Sequence, residues 1–209
     1  MEAVLTPAHV RRRHRRLACL LLVVAAAATI GAASFSLAIF TSSATVGANA
    51  FTTGTIVLGV APATAVFTSA SMMPGDSVPA GTPGQALTVS NTGTGTLRYA
   101  ISGTSTDSDS KHLNTQLLVV VRQPDGNAGS SCALMTGTSL FNAVVPTAGV
   151  NMVGDATQGN QTGDRTLAAG VSETLCFKAT LPLITANTYQ SSTSTYTFTF
   201  AAEQTANNP

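Results

Sequence analysis

Residues Ser194 to Glu203 read STYTFTFAAE, and this alternation constrains the fold more than any other stretch of the chain. Tyr196, Phe198, Phe200 and Ala202 fall on one side of an extended backbone, with Thr195, Thr197, Thr199 and Ala201 on the other. A period of two belongs to a β-strand with one buried face, because a helix would scatter the rings around its circumference. Similar runs of Val, Thr, Ile, Phe and Tyr occur from residue 53 onward: TGTIVLGV (53–60), TAVFTS (64–69), ALTVSN (86–91), TLRYAIS (96–102) and VSETLCFKATLP (171–182). Leu97, Tyr99 and Ile101 alternate with Thr96, Arg98 and Ala100, which predicts one wet face. TQLLVVVR (115–122) is apolar on both faces and reads as a central strand.

The segments between these runs are rich in Gly, Pro, Asn, Asp and Ser. MMPGDSVPAGTPGQ (72–85) and GVNMVGDATQGNQTGD (149–164) read as loops. STDSDSKHLNTQ (105–116) offers one short helical turn, with Ser108 or Asp109 as its cap. No stretch beyond the N-terminal segment carries a convincing helical period, and no repeat recurs at a fixed spacing. About eight short strands joined by turns predict an all-β fold, a jelly-roll-like two-sheet antiparallel sandwich.

The N-terminal segment is of another kind. Five arginines crowd into RRRHRR (11–16), and an uncharged run follows from Leu17 to Phe40, strongly apolar at first and then richer in Gly and Ser. A basic stretch, an apolar stretch and then small residues is the pattern of a signal peptide. Ser36 and Ala38 place small residues at the third-last and last positions of a leader cut between Ala38 and Ile39. The run is also long enough to stay in a bilayer as an uncleaved anchor. Either way the arginines remain cytoplasmic and the rest is exported, with the membrane involved only through the leader. The expected organisation is a leader over 1–38, an extended segment over 39–51, a sandwich over 52–205 and a tail over 206–209.

The whole chain carries 10 Lys and Arg against 9 Asp and Glu. A cut leader takes five arginines and Glu2 with it, leaving 5 basic and 8 acidic groups, a net charge of −3. Arg98, Lys111, Arg122, Arg165 and Lys178 are scattered along the sequence. Nucleic acid demands clustered cations that displace counterions from phosphates, so that class of partner is excluded. Beyond the leader, with its Cys19, two cysteines remain, Cys132 and Cys176. An even pair outside the cytoplasm predicts a disulfide, worth about 4 kcal/mol at most in the chain-entropy model, with two buried thiols as the alternative.

Chemistry is sparse. His112 is the one histidine beyond the leader, which rules out an HExxH zinc site, and it sits in a polar loop. There is no G-x-S-x-G nucleophile elbow. Asp107 and Asp109 form a candidate weak calcium site but lack the Gly and distal Glu of an EF-hand loop, so a solvated turn is the simpler reading. The acids all sit in turn-like contexts, and no catalytic pair, cofactor site or metal ligand set is assigned. The sequence predicts no enzyme.

Four stretches resemble the TasA/camelysin family of secreted bacterial proteins: NAFTTGTIVLG (49–59), MMPGDSV (72–78), LTVSNTGTGTLRYAI (87–101) and YTFTFAAEQT (196–205). Their order is the stronger part of the likeness: a leader, a Phe-x-x-Gly-Thr strand, a Pro-Gly-Asp turn, an Asn-x-Gly hairpin and a last strand ending in Ala-Glu-Gln. The leader end, LAIFTSSA, is similar to leaders cut by a SipW-type signal peptidase. The likeness spans about 36–105 and 171–205; the middle, 106–170, departs from the family's long insert. Composition and that departure suit a high-GC Gram-positive relative. The resemblance implies a jelly-roll subunit of an extracellular, biofilm-associated fibre or surface layer, whose partners are copies of itself or related matrix proteins. Some members are described as calcium-dependent metalloendopeptidases. With His112 alone and no HExxH, this chain lacks the three protein ligands and one water of a usual catalytic zinc, so that activity is not carried over.

IFTSSATVGANAF (39–51) would become the new N-terminus after cleavage. It is extended in character and has neither proline nor side-chain charge, as suits a strand added to an exposed sheet edge. In the family, subunits are thought to join by passing such a strand to a neighbour. Phe40, Val46 and Phe51 would be its anchors. Pairing within its own subunit, a disordered tail and a monomeric surface protein are the other readings.

Overall fold

The computed structural model describes residues 53–208, together with Ala18, Cys19 and Leu21, which are helical and exposed. The expectations for Ala38, Ile39, Phe40, Val46 and Phe51 lie outside the described residues. Among the described residues no helix is long and apolar enough to cross a membrane. The chain divides between Phe51 and Thr52 into two compact units, and the sandwich is the second.

Among the described residues ten strands build two antiparallel sheets, an all-β sandwich. The first sheet orders β1 (Leu58–Ala61), β3 (Gln85–Asn91), β9 (Ser172–Thr180), β5 (Leu118–Gln123) and β6 (Thr138–Val144), with β2 (Ser77–Val78) on the far end of β9. The second orders β10 (Tyr196–Gln204), β4 (Leu97–Ser105) and β7 (Val150–Val153), with β8 (Arg165–Leu167) also on β4. The chain crosses between sheets at β3–β4, β4–β5, β6–β7, β8–β9 and β9–β10.

The core lies between the sheets and is filled by alternate residues, as the period of two requires. Leu87 and Val89 of β3, Leu175 and Phe177 of β9, and Val119 and Val121 of β5 face Leu97, Tyr99 and Ile101 of β4, all buried. Tyr196, Phe198, Phe200 and Ala202 pack against them from β10, on the face the alternation predicts, with Thr197 and Thr199 exposed. β5 lies between β9 and β6, inside its sheet as expected. Gly103 stands opposite Phe198, and a Cβ there would come within 2.6 Å of Met152 Sδ and 3.1 Å of Val145.

Several expectations are corrected. The strand expected from residue 53 begins at Leu58, and 64–69 is not a strand, although Val66 and Phe67 pack against the core. The expected loop 149–164 contains β7, whose Met152 and Val153 are buried. Helix α1 (Ala128–Leu134) and β6 are additional elements. The helical turn lies at Leu113–Thr115; its N-cap is His112, in the left-handed region at φ 61°, and not Ser108 or Asp109. The predicted wet face of β4 is buried, with Arg98 at 5% and Ala100 at 3% exposure. Antiparallel register sets Arg98 opposite Glu203, and Arg98 Nε donates to Glu203 Oε1 at 2.5 Å. Gly159 N, from the loop after β7, donates to the same carboxylate at 3.1 Å, so that loop reaches the outer side of the strand pair. In the expected tail, Asn208 is held against the sandwich: Arg98 Nη2 donates to its carbonyl, and Asn208 Nδ2 donates to Glu203 Oε2.

Candidate assembly surface

β10 is an edge strand. All nine of its residues pair with β4, and among the described residues nothing pairs with its other side. Its inward rings are anchored by neighbours: Phe198 lies edge-on to Phe67 (centroids 6.1 Å apart) and 5.4 Å from Phe177, and Phe200 is 6.4 Å from Tyr99. On the same flank of the sandwich β1 ends the first sheet. Between the two edges runs a groove of about 1320 Å³, lined by Leu58, Val60, Phe67 and Phe198 and also by polar residues such as Asn187 and Ser192. The Tyr196 hydroxyl is buried with no partner in hydrogen-bond geometry among the described residues. Burial raises its pKa, and the nearby Ser194 hydroxyl opposes that shift. An edge strand beside a partly apolar groove offers main-chain hydrogen bonds to an incoming strand and pockets for its alternate side chains.

Three of the motifs quoted from the sequence hold this flank in place. In the Asn-x-Gly hairpin, buried Asn91 donates from Nδ2 to the Gly95 and Leu167 carbonyls at 2.8 and 3.1 Å and accepts from Gly93 N at 3.0 Å. The approach to β1 lies directly on that hairpin. Thr94 N and Gly95 N donate to the Thr55 carbonyl at 2.8 and 2.9 Å, and Thr55 N donates to Thr94 Oγ1 at 2.9 Å. A Cβ on Gly93 would stand 2.4 Å from the Thr55 carbonyl oxygen, so only glycine fits. In the Pro-Gly-Asp turn, Asp76 Oδ2 accepts from Met73 N at 2.8 Å, and Gly75 holds φ +96°.

The disulfide joins Cys132 to Cys176, with Cα atoms 5.1 Å apart. Cys176 points to the outer side of β9, and the bond fastens α1 there. A second cross-tie spans the sheets: Tyr99 OH donates to Glu173 Oε1 at 2.7 Å, while Arg165 Nε donates to both oxygens at 2.9 and 3.0 Å. Burial, then the Glu173 carboxylate, push the Tyr99 phenol well above its usual pKa, and Glu173 raises that of Arg165. Sequence reading missed this triad and the Arg98–Glu203 pair. The β4–β10 alternation was the available signal for the pair; nothing local marks the triad.

Asp107 and Asp109 are engaged in loop hydrogen bonds. Asp107 Oδ1 accepts from His112 N at 2.8 Å, and its Oδ2 lies 2.5 Å from His112 Nδ1. Asp109 accepts from Lys111 N at 3.0 Å and Thr193 N at 2.6 Å, and these bonds, Lys111 first, hold its pKa below the usual carboxylate value. Among the described residues no three His, Cys, Asp or Glu side chains come together as a metal site. No family model matches the chain, and no curated protein matches it.

Proposed function

We propose that the protein is an exported structural subunit of an extracellular fibre or surface layer, which joins copies of itself by strand addition. Residues 39–51 of one copy add to β10 of the next. The observation that carries this reading is the nine-residue β10 edge beside a groove with apolar and polar lining. Thirteen extended residues reach about 43 Å, more than the roughly 30 Å of β10. Direction favours a second copy. The chain enters the sandwich at Thr53, at the pole of the β3–β4 turn, and β10 runs toward that same pole. A segment laid back along its own β10 would run parallel to it, whereas every pair in both sheets is antiparallel. A neighbour's segment entering from the opposite pole is antiparallel.

The test is sedimentation and electron microscopy of the protein expressed with its own leader, beside a form lacking residues 39–50. The shortened form is expected to stay folded and monomeric while the parent polymerises. Identical fibres from both, or no fibres from folded, concentrated parent, overturn the reading.

A further inference from the structure

Beyond the leader, the described residues include seven exposed large hydrophobic side chains, and six of them gather at two places. Met73, Leu183 and Ile184 are 68%, 79% and 93% exposed; Ile56, Val57 and Val171 are 39%, 47% and 45% exposed. The seventh, Leu134, stands apart on α1. Single exposed apolar residues are ordinary on a protein surface, whereas apolar side chains that gather mark places where a contact can form.

The two groups occupy opposite ends of the first sheet. Val171 immediately precedes β9, and Leu183 and Ile184 follow it, so nine strand residues, about 30 Å, separate them. At the lower pole Asn91 N donates to the Val171 carbonyl and Thr92 N to the Val57 carbonyl, both at 2.9 Å, which fixes Val171 and Val57 on either side of the end of β3. At the upper pole Gly75 N donates to the Leu181 carbonyl at 2.8 Å and Leu181 N to the Asp76 carbonyl at 2.9 Å. These bonds tie the turn carrying Met73 to the loop carrying Leu183, whose Cδ1 lies 3.3 Å from where a Gly75 Cβ would stand.

We infer that the two poles are the halves of one contact: the lower pole of one copy seats on the upper pole of the next. This rests on the fibre reading and adds a second junction to it. Two different patches at opposite ends of one body make a heterologous contact, which propagates as a filament instead of closing as a dimer. The occupant is a second copy because a strand added antiparallel to β10 leaves its donor's Thr53, at the donor's lower pole, beside the receiver's upper pole. The same stacking carries the segment ahead of Thr53 past the upper pole of the copy below, the entry direction that makes it antiparallel to β10.

The test uses two charge variants of the parent, expressed with its leader and purified from medium or envelope: Ile184→Asp and Val171→Asp, each checked for an unchanged melting curve. Each alone is expected to lower the polymer fraction about tenfold or more at fixed concentration. Mixed one to one, they retain a single intact junction and should sediment as a dimer. Polymer from both variants, with none from the form lacking residues 39–50, keeps strand addition and overturns the polar contact. A second readout does not depend on fibres. Val171→Cys and Ile184→Cys variants, mixed and mildly oxidised, should give the mixed dimer over either homodimer, with Leu134→Cys as the control. Equal yields of all pairings overturn the contact. So does binding of Ile184-dependent but Val171-independent character to vesicles, which would assign the upper pole to lipid.

Discussion

Arg98 is 5% exposed, and a cation at that depth is tolerated because Glu203 and the Asn208 carbonyl accept its N–H groups. The arrangement has a pH signature. The hydrogen bond from Arg98 leads the effects that hold the Glu203 pKa below the usual glutamate value. A depressed folded pKa contributes stability in full above the unfolded value, about 4.3, and loses it as pH falls through the folded one. Thermal melts taken from pH 7 down to 3 should therefore show a shallower acid decline in Glu203→Gln than in the parent; parallel curves would mean the pair is not linked to folding. The cysteines act at the same scale. Replacing Cys132 and Cys176 together by Ala should cost about 2–4 kcal/mol in denaturant titrations. Native, non-reduced protein should give a Cys132–Cys176 linked peptide in mass spectrometry.

β10 is the element whose two faces differ most. Phe198→Asp sets a carboxylate between Phe67 and Phe177, and the domain should unfold or lose upward of about 3 kcal/mol. Thr197→Asp points to solvent and should stay within about 0.5 kcal/mol of the parent. Chemical denaturation of the two side by side checks this. At the hairpin, Gly93→Ala should cost about 1–3 kcal/mol, since backbone at Thr55 to Val57 must move aside. Gly54→Ala is the control: its Cβ would meet only Thr94 Oγ1, at 3.5 Å, an ordinary contact. β10, with its strict alternation, was legible almost to its ends, whereas β4 was placed by its alternation but its expected wet face is buried. β7 was not, because Val150–Val153 is short and lies among Gly, Asn and Asp, so local composition outweighs two buried positions. The 64–69 run failed for the opposite reason. Its residues suit a strand, but only Val66 and Phe67 find apolar neighbours, and no ladder forms.

For the whole molecule, assembly and folding are expected to separate. Thr45→Pro removes one backbone donor from the proposed added strand. It should weaken polymer formation while leaving the subunit's melting temperature within about 1 °C, because the buried cluster among the described residues is built from both sheets of 53–208. A drop in melting temperature equal to that of the 39–50 deletion would instead mean that the segment pairs within its own subunit.

The sequence alone determined the β class, the inward face of β10, the central place of β5 and the Cys132–Cys176 pairing. Each follows from periodicity or from counting, which are local properties of a chain. Tertiary structure decided that Arg98 is buried, that Tyr99, Glu173 and Arg165 tie the sheets together, and that β10 ends its sheet beside a groove. It also decided that six exposed apolar side chains sit at two opposite poles. Those properties depend on which strands become neighbours, and pairing between residues as far apart as Arg98 and Glu203 is set by how the entire core closes, a choice no local stretch of sequence contains.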